Sequence, residues 1–289
     1  MTLAGNQPLH EVRLLAAYER RFAALQAQVF RQQRQAFLEA SDGVLDSQAL
    51  ITALAAAQSR TRELQESWYR RTYVTVGASF AARDTVKSRR AKAPGEAPKK
   101  PWGPKDNPWW REDFVKELGE EPWWPAWLAA TLAYVEATMG SAILDLDRTG
   151  LRQAQAAILT GVAAGLAVAK IREAIAKRMS SWGQTRSVAV AKSEVATAAR
   201  QGAHQAVVIQ APTKRWVKSW RDTGDPKVRR FHREATRTNK DVPVDEPFLV
   251  KNSQGVLQRL MFPGDRSLGA DASNTVNCRC DSVVRVQRS

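Results

Sequence analysis

TKRWVKSWRDTGDPKVRRFH (213–232), VPVDEPFLVKNSQGVLQRLMFPGD (242–265) and NTVNCRCDSVVRV (274–286) decide the fold of the C-terminal quarter of the chain. Arg215 to Trp220 alternates in the manner of a half-buried strand, with Trp216 and Trp220 on one face. Asp222, Thr223, Gly224, Asp225 and Pro226 end it. Lys227 to Glu234 has room for one or two helical turns. Phe248 to Val250 and Val256 to Phe262 read as a hairpin around Asn252, Ser253, Gln254 and Gly255. Pro263-Gly264-Asp265 is a turn, and Val283 to Val286 a last strand. These signals predict a small α+β domain with an antiparallel sheet at 212–289.

The segments before it are long, Ala-rich and helical in period. Glu11 to Glu39 carries Val12, Leu15, Tyr18, Phe22, Leu25, Val29 and Phe37 at helical intervals. Ser47 caps a second helix to about Val76, with Leu50, Leu54, Ala57, Leu64 and Trp68 as its stripe. The two form a helical hairpin over 1–82 whose apolar faces need a third element or a partner protein. Residues 83–126 read as a basic Pro/Gly-rich loop followed by a Trp-rich segment. Trp102, Trp109, Trp110, Trp123, Trp124 and Trp127 alternate there with Glu112, Asp113, Glu117, Glu120 and Glu121. Those acids oppose stacking with a nucleic acid and favour packing in a satellite core or an interface. Residues 127–211 form a helical middle region: Pro125 to about Asp147, a polar break at Asp145 to Gly150, Thr149 to Leu159, Ala167 to Met179, and Arg186 to Ile209.

The chain has 289 residues and a formal net charge of +15, which points to a polyanion, usually nucleic acid, or an acidic protein surface as partner. Lys87, Arg89, Arg90 and Lys92 in the basic loop are candidate DNA-facing groups. Lys214, Arg215, Lys218, Arg221, Lys227, Arg230 and Arg233 form a second, denser set. Phosphate contact by either requires charge and no base reading. Only two cysteines are present, one residue apart, so no disulfide framework exists and a reducing compartment fits. Met1 to Gln7 lacks the pattern of a secretory leader. The longest apolar stretch, Ala154 to Ala169, is interrupted by Gln155, Thr160, Gly161 and Gly165, so no membrane partner is expected. No phosphate-loop or dinucleotide fingerprint appears.

His232, Cys278 and Cys280 are the residues with the most chemistry to offer. Imidazole and thiolate suit zinc, but one intervening residue is shorter than the usual cysteine spacing. A fourth ligand would have to come from Asp222, Asp225, Asp265 or His204. The same three side chains could be drawn as a Cys–His hydrolase site, yet no glycine-rich elbow accompanies them. The simpler expectation is a reduced Cys pair holding the last strand, with no cofactor and no catalysis. Arg279 is suited to pin loops through carboxylates such as Asp265. Trp216, Asp222, Arg229, His232, Asp265, Asn277, Cys278, Arg279 and Cys280 are thus a structural network. Glu194 and Arg200, off the spacing of a surface ion pair, would reach from the last long helix to Arg229 or Asp222.

The ordered set Arg215-Trp216, Asp222, Arg229, His232, Asp245, Phe248, Pro263-Gly264-Asp265 and Asn277-Cys278-Arg279-Cys280 resembles the C-terminal domain of the phage Mu protein F family. Two upstream pieces share the resemblance: Gly165-Leu166 with Ile171-Arg172 and Ile175, and Lys192-Ser193-Glu194 with Arg200 and His204. It covers roughly Thr149 to Val286. The family usually has Arg-Thr-Glu at 192–194 and Asn near Gly202. The resemblance implies a minor head, or head morphogenesis, protein of a tailed phage or prophage. Its partners would be portal, capsid or scaffold proteins and, non-specifically, double-stranded DNA. Its place would be the head interior near the portal, and the host cytoplasm during assembly. The alternatives are a sequence-independent DNA-binding protein outside the capsid, or a zinc- or Cys-dependent enzyme.

Overall fold

The structure, a computed structural model, describes residues 9–90, 122–181, 185–210 and 216–287. Among the described residues the order begins with α1 (Leu9–Ala40), α2 (Ser47–Arg60), α3 (Arg62–Arg90), α4 (Trp124–Ala163), α5 (Val168–Ser181) and α6 (Ser187–Gln210). The α+β part follows: β1 (Trp216–Arg221), α7 (Arg230–Thr238), β2 (Val242–Pro243), β3 (Phe248–Lys251), β4 (Leu257–Leu260), α8 (Ala272–Thr275) and β5 (Asp281–Val286). The expected fold class is therefore the observed one. Trp102, Trp109, Trp110, Lys92, Lys214 and Arg215 lie outside the described residues, as do the side chains of Lys87, Arg89 and Arg90.

Two compact units do not follow consecutive segments of chain. One comprises residues 20–70 and 138–191, the other residues 1–19, 71–137 and 192–289. Each of their boundaries falls inside a long helix. The helical hairpin expected at 1–82 and the middle region expected at 127–211 are thus each shared between the units.

In the 20–70/138–191 unit, Phe30, Phe37, Leu50, Leu54 and Ala57 pack with Ala154, Ala157, Ile171, Ile175 and Met179. Asp46 accepts the Gln48 N–H (3.1 Å) and caps α2. The second helix breaks at one residue, Thr61, whose hydroxyl bonds back to Ala57 O (3.1 Å). Arg172 of α5 donates to Leu38 O (2.6 Å) and Ser41 Oγ (2.9 Å), satisfying a free carbonyl at the end of α1.

Two expected breaks do not occur. α3 runs on past Arg83 to Arg90, because Lys and Arg are good helix formers and the first proline comes only at 94. α4 is continuous through Asp145 to Gly150. Its Thr149 hydroxyl folds back on Asp145 O (2.8 Å), and Asp147 is held by Arg62 (3.6 Å) while its carbonyl accepts Gln58. Gly161 is not a stop either. A Cβ there would lie 2.5 Å from Ile171, so the missing side chain makes room for α5.

By length and composition α4 is apolar enough to cross a bilayer. Its inward positions are nevertheless occupied by protein: Trp124 and Trp127 in one core, Ala154 and Ala157 in another.

In the other unit, Trp123, Trp124 and Trp127 form the expected satellite core with Ala78, Ala81 and Ala206. Trp124 and Trp127 stack at 5.1 Å. Gly77 and Gly202 mark a close crossing of α3 and α6, where a Cβ on Gly202 would fall 2.2 Å from Gly77 O. Trp127 seals that crossing by donating its indole N–H to Gly202 O (3.1 Å). Glycine at 202 is thus required by contact. The sheet has the order β2-β1-β5, wholly antiparallel, and β3 and β4 form a separate hairpin.

Candidate functional site

Trp220, Val228, Ala235, Phe248, Val250, Leu260, Cys278 and Cys280 make the core of the C-terminal part. α7 lies over it and is two-sided. His232 and Ala235 face inwards, while Arg230, Arg233 and Arg237, at helical spacing, share the opposite exposed face.

α6 clamps the loops of this domain. Ser193 Oγ accepts the Asn277 N–H (2.9 Å) and faces Asn277 Oδ1 at 3.3 Å. Asn277 has φ +52°, a left-handed conformation that Asn tolerates better than most residues. The Ser193 hydroxyl thus ties α6 to this turn. Glu194 receives Arg266 (3.1 Å) and the Tyr73 hydroxyl (2.9 Å). Burial first, then the Glu194 charge, pushes the Tyr73 phenol well above its ordinary range, so it remains a donor. Arg200 donates to Pro263 O (3.3 Å) and Cys278 O (3.2 Å). Glu194 and Arg200 do reach the C-terminal domain, but their partners are not Arg229 or Asp222.

The expected network separates into local pieces. Asp222 accepts Gly224 N–H (2.6 Å) and the Thr236 hydroxyl (2.9 Å). Arg229 donates to Val276 O (2.6 Å). Arg279 pairs with Asp225, not with Asp265. Asp265 instead accepts the backbone N–H groups of Met261 and Ser267, both at 2.8 Å, and shapes the turn after β4. Trp216 is half-buried on β1.

Lys218, expected on the DNA-facing surface, is instead wholly buried and cannot face DNA. Its ammonium donates to Val244 O (3.0 Å) and Met261 O (2.7 Å) and lies 4.9 Å above the Phe248 ring. Burial pushes its pKa down to about 8, against the opposing pull of Asp265, Asp245 and Glu246. His204, packed against Phe262, is pushed down to about 3, by burial first and by Lys218 second. Of the other basic candidates, Lys227, Arg230 and Arg233 are exposed and Arg221 is half-buried.

His232, Cys278 and Cys280 do come together, all buried, with their ligand atoms within 4.8 Å of one another. Nδ1 of His232 lies 3.4 Å from Cys280 Sγ and 3.9 Å from Cys278 Sγ. These three side chains could coordinate a metal. Both cysteines are free thiols. A hydrogen bond from Cys280 is the main influence drawing the Cys278 thiol well below its usual range, and the same bond pushes Cys280 up. None of the four residues considered as a fourth ligand, Asp222, Asp225, Asp265 or His204, joins them.

The other ring nitrogen of His232 is fixed by a relay. The Asp271 backbone N–H can only donate, and it faces Gln258 Oε1 (3.2 Å). Gln258 Nε2 donates to the Asp271 carboxylate (2.9 Å). Gln258 Oε1 also accepts from Asn274 Nδ2 (2.8 Å), which turns Asn274 Oδ1 towards His232 Nε2 at 2.9 Å. In the neutral ring Nε2 therefore carries the hydrogen, and the Nδ1 lone pair points at the two sulfurs. The sequence reading missed Gln258, Asn274 and Asp271, which are ordinary polar residues of a turn-rich stretch.

Residues 152–283 match the family described as Phage Mu protein F like protein. Over that stretch the chain is similar to this family. It contains α5, α6, the clamp and the His232–Cys278–Cys280 cluster, and it ends within β5. No curated protein and no solved structure matches the chain.

Proposed function

We propose that this chain is a minor head protein of a tailed phage or prophage, docking to the portal and the procapsid interior and touching packaged DNA without reading its sequence. The Mu F-like match over residues 152–283 is the observation that carries this reading. The net charge of +15 and the exposed Arg230, Arg233 and Arg237 stripe on α7 support the DNA contact, since phosphates need only positive charge held in place. The long helices supply the protein contacts, and many weak phosphate contacts add to them multivalently. In this role the chain catalyses no reaction.

The test is to tag the chain in its phage or prophage and to purify procapsids, mature heads and portal complexes. The chain is expected in procapsids and in the portal pull-down. Particles that assemble with the chain absent at every stage overturn the head role. DNA binding with no portal association would instead favour a DNA-binding protein acting outside the capsid.

A further inference from the structure

We infer that His232 Nδ1, Cys278 Sγ and Cys280 Sγ form a binding site for one thiophilic d10 cation, Zn2+ or Cu+, that ties α7 to the strand β5. This inference stands apart from the head role and would hold for the chain in any setting.

Three observations carry it. The first is spacing. Zinc bonds of about 2.3 Å to sulfur and about 2.0–2.1 Å to nitrogen, at angles between tetrahedral and trigonal, separate N from S by about 3.6–3.8 Å. The Nδ1–sulfur distances of 3.4 and 3.9 Å bracket that range.

The second is orientation. Metal-bound histidines characteristically donate their other ring N–H to an oxygen, which fixes the tautomer and aims the lone pair. The Asp271–Gln258–Asn274 relay does this to His232, and its direction is set by a backbone N–H that cannot be reversed.

The third is charge and softness. Two thiolates neutralise a divalent cation, and sulfur with imidazole is a donor set that selects zinc or monovalent copper over magnesium or calcium. Zinc would complete its coordination with one small exogenous ligand, whereas Cu+ is content with three donors. The site is enclosed, so the cation would enter as the domain folds rather than afterwards.

The test uses the full chain. It is unfolded and refolded under reducing conditions with Zn2+, Cu+ or Co2+, desalted, and analysed for metal per chain. One cation per chain is expected, with a thiolate-to-cobalt charge-transfer absorption for Co2+. Competition between Zn2+ and Cu+ identifies the preferred ion. Asn274→Leu is expected to weaken affinity about 10–100-fold, as removal of an outer-shell partner does. Cys280→Ser should abolish binding, and His204→Gln should leave it intact. A wild-type chain that refolds, retains none of the three cations and gives no charge-transfer band overturns the site, even if the variants fail to fold.

Discussion

Glu194 of α6 and Arg266 of the loop after β4 form an ion pair at 3.1 Å that is almost closed to solvent, with side-chain exposures of 5 % and 12 %. Tyr73 donates to the second Glu194 oxygen at 2.9 Å. Removing one member of such a pair leaves the other charge buried without compensation. Glu194→Ala should therefore destabilise the fold by about 3–5 kcal/mol. Tyr73→Phe, which deletes one hydrogen bond to a charge, should cost roughly 1.5–3 kcal/mol. Urea titrations of the two single variants and the double variant give both the costs and the coupling. A loss below a few tenths of a kcal/mol for Glu194→Ala would show that the pair contributes nothing.

The crossing of α3 and α6 at Gly77 and Gly202 predicts an asymmetry. Gly202→Ala puts a methyl 2.2 Å from a backbone oxygen, and a backbone cannot step aside as a side chain can. Gly77→Ala meets Trp127 and Ala198 O at no less than 3.1 Å. Overpacking costs on the order of 1–3 kcal/mol, and Gly202→Ala should lie at or above the top of that range, with Gly77→Ala well below it. Equal melting temperatures for the two variants would contradict the crossing.

Lys218 gives a pH signature. Its folded pKa, about 8, lies below the ordinary 10.5, so the unfolded chain binds more protons between those values. Stability contributed by this residue must then rise as pH climbs from 8 to 10.5. Below pH 8 the buried charge is a standing penalty, at most about 3 kcal/mol. Lys218→Met removes the titration, so the stability of the wild type relative to this variant should improve with pH across that window. Paired denaturant melts at pH 7 and pH 10 measure it, and a constant difference would mean that the ammonium is not desolvated as described.

The arginine stripe of α7 should reveal itself in salt dependence. Changing Arg230, Arg233 and Arg237 to Gln should weaken binding to any duplex alike. It should also reduce the slope of log K against log salt by roughly 0.9 for each phosphate that is no longer neutralised. These side chains lie on the face away from His232, so the fold should survive. Fluorescence titrations at several salt concentrations decide the matter: a slope that stays the same takes α7 out of the DNA interface.

Much of this architecture is legible in the sequence because period and punctuation agree. The hairpin around Asn252 to Gly255, the first strand and the last two long helices all have apolar repeats bounded by turn residues. The breaks expected at Arg83 and at Asp145 to Gly150 fail because a charged residue is not in itself a stop. A helix keeps such residues wherever solvent or a partner such as Arg62 receives them. The misplacement of Lys218 has its remedy in the same strand. Trp216 and Trp220 share one face, and the residue midway between them must share it too. What no local pattern can disclose is the pairing of Ser193 with Asn277, Glu194 with Arg266 and Asn274 with His232, since each joins positions at least 42 residues apart.

The chain of amides leading from Asp271 to His232 has a sense of direction, like a row of one-way valves. Reversing any single amide would set donor against donor or oxygen against oxygen at both of its ends. Drift at Gln258, Asn274 or His232 is therefore not independent: a change at one site is neutral only in company with another. Homologues that retain this arrangement should alter these positions together or not at all, and a lineage that loses the histidine should soon release the two amides from constraint.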